Sequence, residues 1–223
     1  MVDAAEQRRN MVDSQLRPSD VTDRRIIRAM LEIPRENFSP SAMRALAYMD
    51  EDLVVQAGDR DAPMRHVLAP RTQALLLQLA QIESGDLVLD VGCATGYSTA
   101  IAARLADSVV AVEQDARLVE RASALLSTLG IDNAAILAGP LNEGMAGQGP
   151  YDVIVLNGAV EVIPESLFAQ LKPGGRLVAV LIEGRRSRAV VATRRGGKTD
   201  VRATRDLSAP SLTGFQKAAG FVF

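Results

Sequence analysis

Apolar residues in this chain recur first at helical spacing and then, past Gly85, in short blocks separated by helical stretches. Over residues 5–49 the spacing is helical. Ile26, Ile27, Met30 and Leu31 share one face, Asp20 or Thr22 offers an N-cap, and Pro34 stops the run. Between Asp50 and Pro70 the period is lost and Gly58, Pro63 and Pro70 punctuate a polar stretch. This predicts a long loop, a kind of segment that often carries function. A helix is predicted over 71–82, with Leu75, Leu76, Leu79 and Ile82 on one stripe and Gly85 ending it.

From Leu87 the apolar blocks at 87–91, 109–112 and 134–137 alternate with helical stretches at 97–106 and 116–129, the βαβαβ order of a parallel sheet. The alternation continues with a strand at 153–156, a short helix near 165–171, a turn at Lys172-Pro173-Gly174-Gly175 and a strand at 176–182. Segments 188–193 and 199–205, separated by Gly196-Gly197, predict an antiparallel hairpin that extends one end of the sheet. The expected fold is α/β, a Rossmann-like doubly wound and mostly parallel sheet of about seven strands, with a helical N-terminal extension. Residues 1–70 form the arm and a substrate-side loop, 71–184 the core, and 185–223 the hairpin and tail completing the same domain.

Composition narrows the class. With 48% hydrophobic and 23% charged residues and a formal charge of −2, the chain reads as globular, with no overall pull toward polyanions or membranes. No apolar run approaches the roughly 18–20 residues that span a bilayer, so a cytoplasmic protein is expected. The single cysteine, Cys93, and single histidine, His66, exclude an intrachain disulfide and the usual Cys/His zinc sets.

Parallel sheets bind ligands beyond the carboxyl ends of their strands, where the strand order reverses. The first strand-to-helix turn there reads Asp90-Val91-Gly92-Cys93-Ala94-Thr95-Gly96-Tyr97. Gly92 and Gly96 permit a tight bend and close approach of a ligand to the backbone, which implies a nucleotide-like ligand. The spacing departs from the G-x-G-x-x-G dinucleotide pattern. An acid at Asp90 suits a ligand with a cationic amino-acid end better than one with a pyrophosphate, and S-adenosylmethionine is such a ligand. Glu113 closes the second strand roughly 20 residues downstream, where a carboxylate can accept both ribose hydroxyls. The plainer alternative, that an acid there caps the next helix, suits Asp115 better.

Three blocks give the chain a resemblance to the protein-L-isoaspartate O-methyltransferase family. The first is Met11-Val12-Asp13-Ser14-Gln15-Leu16-Arg17 with Ile26–Met30, Pro34-Arg35-Glu36-Asn37-Phe38 and Ala47-Tyr48, similar to the family's opening helices. The second is Val88-Leu89 followed by the glycine-rich turn through Tyr97. The third is Tyr151-Asp152-Val153-Ile154-Val155, then Pro164 and Leu171-Lys172-Pro173-Gly174-Gly175. The resemblance implies an enzyme that methylates isoaspartyl carboxylates of aged proteins or peptides as a step of repair, with S-adenosylmethionine as cofactor. It implies that Asp90, Gly92, Cys93, Ala94, Gly96, Tyr97, Glu113, Gln114, Pro140, Leu141 and Asn157 line the cofactor, and that Arg65, His66, Val67 and Leu68 face the substrate. A carboxylic acid acceptor, which ordinarily titrates at about 3.9, is already an anion at neutral pH and needs no general base. Holding the reactants in line supplies most of such a reaction.

The sequence departs from the family at three points. Leu68, in Arg65-His66-Val67-Leu68-Ala69-Pro70, stands where the family has a serine beside the transferring methyl, and a leucine brings no hydroxyl. Pro140, in Gly139-Pro140-Leu141-Asn142, stands where the family has an aspartate for the adenine amino group, with Asn142 or a backbone group as substitute acceptors. Ala94 replaces a central glycine. These keep two alternatives open: a methyltransferase acting on a small molecule or RNA, and a cofactor-binding regulator without catalysis.

The remaining candidates have plainer readings. His66 is a titratable group near the substrate side or a hydrogen-bonded loop histidine, and Cys93 is a small packing residue or a redox thiol. Arg185, Arg186, Arg188, Arg194, Arg195, Lys198, Arg202 and Arg205 cluster on the hairpin. Charge there keeps a sheet edge from pairing with other chains, and no interleaved aromatics favour nucleic acid. The tail ending in Phe221-Val222-Phe223 is expected to pack on the body.

Overall fold

The N-terminal helical pattern folds into a jointed arm instead of one continuous helix. In the computed structural model, which describes residues 3–58 and 63–217, α1 (Ala4–Met11) begins where the Asp3 side chain accepts the Ala5 N–H. It widens into a π-helical turn at Val12–Leu16 and tightens into a 3-10 turn at Arg17–Ser19. Helix α2 (Arg24–Glu32) is capped by Asp23, whose carboxylate accepts the Arg25 N–H at 2.8 Å. This corrects the caps expected at Asp20 and Thr22. Asp20 is left-handed, and Gln78 Oε1 already holds the Thr22 N–H at 2.7 Å. Two 3-10 turns, Arg35–Phe38 and Ser41–Leu46, complete the arm.

The stretch expected as a long loop contains a small antiparallel hairpin of its own. Strands β1 (Leu53–Gln56) and β2 (Arg65–Val67) pair as Leu53 with Val67 and Val54 with His66. Leu53 and Val67 turn inward and Val54 outward, an alternation too short to register as a period in the sequence. Helix α3 (Pro70–Ala80) follows and buries Ala74, Leu75, Leu76 and Leu77 together, because the arm covers one side of it and the sheet another. It stops at left-handed Gln81, not at Gly85. The Arg176 guanidinium donates to the Ala80 and Gln81 carbonyls there and pairs with Asp86 at 2.9 Å.

The predicted α/β alternation then appears in full. Strand β3 (Leu87–Val91) leads through α4 (Tyr97–Ala102) to β4 (Ser108–Glu113), and α5 (Ala116–Thr128) leads to β5 (Ala134–Ala138). The chain returns through β6 (Tyr151–Val160), α6 (Glu165–Ala169) and β7 (Leu171–Glu183), and ends its sheet with β8 (Arg186–Arg195) and β9 (Lys198–Asp206). The turn expected at Lys172–Gly175 is a register shift inside β7. The seven strands lie in the order β5-β4-β3-β6-β7-β8-β9, parallel from β5 to β7 and antiparallel beyond.

Strand β3 is buried on both faces, as its near-continuous apolar run requires. Val88, Val153, Val155 and Val178 face one side, against Leu76, Ile101 and the arm's Met30 and Phe38. Leu89, Ile154, Leu156 and Leu177 face the other, with Leu141, Leu167 and Phe215. Strand order reverses between β3 and β6, and the ends of β3, β4 and β6 meet beside that crossover. No helix among the described residues is long and apolar enough to cross a membrane. Phe221, Val222 and Phe223 lie outside the described residues.

Candidate cofactor crevice

Beyond Val91 the chain needs backbone angles that side chains oppose: Gly92 has φ +75° and Gly96 φ +90°. A β-carbon on Gly96 would stand 3.2 Å from Ala122 Cβ, so this glycine lets α4 approach α5. Ala94 adopts φ +51° despite its methyl, and its amide is held at 2.9 Å by Glu113 Oε2. The bend is therefore fixed by the acid at the end of β4.

Asp90 lies beneath the bend, fully buried and engaged on both oxygens. Oδ2 accepts the Ser98 hydroxyl at 2.7 Å and the Thr99 hydroxyl at 2.6 Å, and Oδ1 accepts from Asn157 Nδ2. Burial raises the Asp90 pKa and these three donors oppose the rise. Asn157 also donates to the Val91 carbonyl at 3.2 Å and accepts from Gln73 Nε2 at 3.2 Å. Asp90, Asn157 and Gln73 thus tie β3, β6 and α3 into one polar chain, of which Gln73 carried no signal in the sequence. The partners of Asp90 here are the chain's own hydroxyls and amide.

Glu113 is the most heavily committed group in the crevice. Its Oε1 accepts from the Gln114 amide at 2.9 Å and the Asp115 amide at 3.4 Å, and its Oε2 from Ala94. The fork of Arg65 closes on the same carboxylate, Nη2 at 2.7 Å from Oε2 and Nε at 3.3 Å from Oε1. The two side chains are 3% and 0% exposed. A carboxylate offers about four lone-pair directions, and all are taken here.

The space above Gly92 is likewise filled from within. A β-carbon on Gly92 would meet Arg65 Nη2 at 2.9 Å, Leu212 Cδ1 at 2.8 Å and Leu141 Cδ1 at 3.6 Å. Leu212 is brought there by a segment that joins the end of β6, where the Ala159 amide donates to Pro210 O and the Leu212 amide to Ala159 O, each at 2.7 Å. Gly92 leaves room as expected, and Arg65 and Leu212 occupy it in this structure. As arranged here, the residues do not fit an adenosyl group, because its ribose would find neither an acceptor on Glu113 nor space over Gly92.

Other expected residues take distinct places. Tyr97 is fully buried against the arm, its ring 4.9 Å from the Arg35 guanidinium and 5.4 Å from the Phe38 ring. It packs the arm onto α4. Cys93 is buried, and burial beside Asp90 and Glu113 pushes its thiol well above the usual range. Gln114 and Pro140 are exposed, and Leu141 is buried against Gly92. On the substrate side, Val67 and Leu68 are buried, and His66 is half-buried with its pKa lowered by burial against the opposing pull of Asp52. Arg35 was not singled out by the sequence. It is buried, has no carboxylate partner among the described residues, and donates to Ala47 O at 2.7 Å and Leu68 O at 2.8 Å.

Comparison with known proteins places this arrangement. The sequence pattern of the family described as protein-L-isoaspartate(D-aspartate) O-methyltransferase matches residues 6–209. A protein-L-isoaspartate O-methyltransferase of Koribacter versatilis is 39% identical over 171 residues, covering 77% of this chain and 74% of the relative. Protein-L-isoaspartate O-methyltransferase 1 of Rhodopseudomonas palustris is 34% identical over 198 residues, covering 89% and 78%. A solved protein-L-isoaspartate O-methyltransferase superposes with a TM-score of 0.79 at 26% identity, over 95% of this chain and 66% of that one. With a family pattern running from the arm through the hairpin, the chain belongs to the protein-L-isoaspartate O-methyltransferase family.

Proposed function

We propose that this chain is an S-adenosylmethionine-dependent methyltransferase acting on isoaspartyl carboxylates of proteins or peptides, the activity its family is named for. The observation that carries this reading is the family match over residues 6–209, which includes the arm as well as the sheet. Within the crevice we assign the bend Gly92–Gly96, Glu113 and Leu141 to the cofactor side, and Arg65, His66, Val67 and Leu68 to the acceptor side. Repair of aged proteins in the cytoplasm is the corresponding role. An isoaspartyl carboxylate is ionised at neutral pH, so the acceptor side need not remove a proton. This accords with a buried, apolar Leu68 and a His66 whose pKa lies below the usual imidazole range.

The test is methyl transfer to an isoaspartyl peptide compared with its aspartyl twin. Preference for the isoaspartyl form supports the reading, and equal rates reject it. Leu68 favours a second reading, a chain that binds the cofactor without isoaspartyl turnover, since no hydroxyl stands at that position to orient a carboxylate. Binding of S-adenosylhomocysteine in the absence of any turnover would select it.

A further inference from the structure

The geometry of the crevice assigns Arg65 a role that deepens the cofactor reading above and rests on it. We infer that Arg65 is an internal competitor for the place on Glu113 that the cofactor's ribose would take, and so sets the affinity of the chain for its cofactor.

Three observations carry this. The first is stoichiometric. The three amides of Ala94, Gln114 and Asp115 and the two nitrogens of the Arg65 fork, five donors together, crowd the roughly four lone-pair directions of Glu113. A two-hydroxyl ligand can bind Glu113 only where the fork leaves. The second is steric, because Arg65 Nη2 stands 2.9 Å from the position of a β-carbon on Gly92, the surface against which such a ligand would lie. The third concerns how Arg65 is carried. It comes from β2, three residues long and, among the described residues, paired only with β1 in a sheet separate from the main one. A two-stranded ribbon of this length has little stability of its own.

The competition is between unlike partners. A guanidinium on a carboxylate forms two charge-assisted hydrogen bonds, whereas a ribose offers two neutral hydroxyls. In a buried crevice the guanidinium holds the advantage at Glu113 itself, and the ligand must recover the difference from its other contacts. Nor can Arg65 remain behind after losing Glu113, because an uncompensated buried cation is strongly unfavourable. Its side chain must reach water, and β2 is the backbone that carries it there. Two ties oppose this withdrawal: Gln56 Nε2 donates to Asp115 Oδ2 at 2.9 Å, and the Ala69 amide donates to Asp52 Oδ1 at 2.7 Å. Cofactor entry and release of β2 are in this way one event.

The experiment is calorimetric titration of S-adenosylhomocysteine into the wild-type chain and into Arg65→Ala. Removing the fork should tighten binding by roughly tenfold or more, the fold-change that one charge-assisted hydrogen bond supplies. Tighter binding by Arg65→Ala supports the inference, including the case in which wild type shows no binding at all. Equal or weaker binding by Arg65→Ala overturns it and leaves the cofactor reading standing. No binding by either protein overturns both. Should Arg65→Ala not fold, Arg65→Lys replaces it, keeping a cation near Glu113 without the two-pronged grip, and its outcomes are read in the same way.

Discussion

The Arg35 guanidinium lies 4.9 Å from the centre of the Tyr97 ring and joins the N-terminal arm to the first helix after the glycine bend. Among the described residues no carboxylate pairs with this buried cation, and burial pulls its pKa below the usual guanidinium value. What holds it is the face of Tyr97 and two carbonyls, Ala47 O and Leu68 O. Arg35→Ala would leave both carbonyls buried and unpartnered and open a large void. We expect a loss of about 3–5 kcal/mol from these causes. Urea denaturation measures it, and an unchanged midpoint would show that the arm does not depend on this contact.

Because Arg65 and Glu113 satisfy each other, neither can be removed alone without consequence. Arg65→Ala and Glu113→Gln should each destabilise the fold, and together they should cost less than the sum. The expected coupling is about 0.5–3 kcal/mol, the range for neighbours sharing one hydrogen-bond or salt-bridge network. A double-mutant cycle by chemical denaturation reads it directly. Coupling near zero would mean that the pair contributes no net stability. The same cycle bears on activity measurements, since loss of turnover in a Glu113 variant reports on folding as well as on ligand contact.

Much of this is visible in the sequence where signals are local. The apolar block Leu87–Val91 predicts a buried strand because burial on both faces removes the need for polar alternation. Gly92 and Glu113 are legible for a related reason: one must bend, and the other ends the neighbouring strand. The Arg65 partner is not legible. It lies 48 residues from Glu113 along the chain, and the contact exists only because a ribbon of three and four residues folds over the crevice. Gln73, Arg35 and Leu212 escape for the same reason, since each acts through a partner brought near by the tertiary fold. Tyr97 is a different case. Its place in the glycine-rich turn suggests a ligand contact, yet the first turn of α4 points its ring into the arm.

Cys93 should be chemically silent in the folded protein. It is buried, and the carboxylates of Asp90 and Glu113 add to burial in keeping the thiol protonated. A thiol-reactive reagent at pH 8 is expected to modify native protein far more slowly than protein unfolded in guanidinium chloride. Rapid modification of the native state would show that the crevice opens widely without ligand.

Asp115 caps α5, accepting the Arg117 amide at 2.9 Å and the Leu118 amide at 3.3 Å, and holds Gln56 of β1. Asp115→Ala is expected to cost about 0.5–2 kcal/mol, the range for a lost N-cap. The Arg117 side chain, followed by Gln56 and the capped amides, draws the carboxyl down to about 2. A depressed acid stabilises the fold above its unfolded pKa, and that contribution is lost as pH falls from about 4 through about 2. Wild type should therefore lose more stability than Asp115→Ala across that window. Parallel melting curves in acid would contradict this assignment.

His66 gives the last test, and as the only histidine it can be followed as a single resonance. Burial lowers its pKa, Arg65 beside it lowers it further, and Asp52 opposes both without overcoming them. The folded state thus disfavours the imidazolium. As pH falls through 6.5, the ordinary value of an imidazole, the unfolded chain takes up the proton before the folded one, so stability declines with falling pH. The decline ends once pH has passed below the folded pKa. His66→Gln should remove this part of the pH dependence while leaving the acid loss from Asp115 in place. An NMR titration midpoint at or above 6.5 would contradict the burial of His66, and with it the packing of β2 that places Arg65 on Glu113.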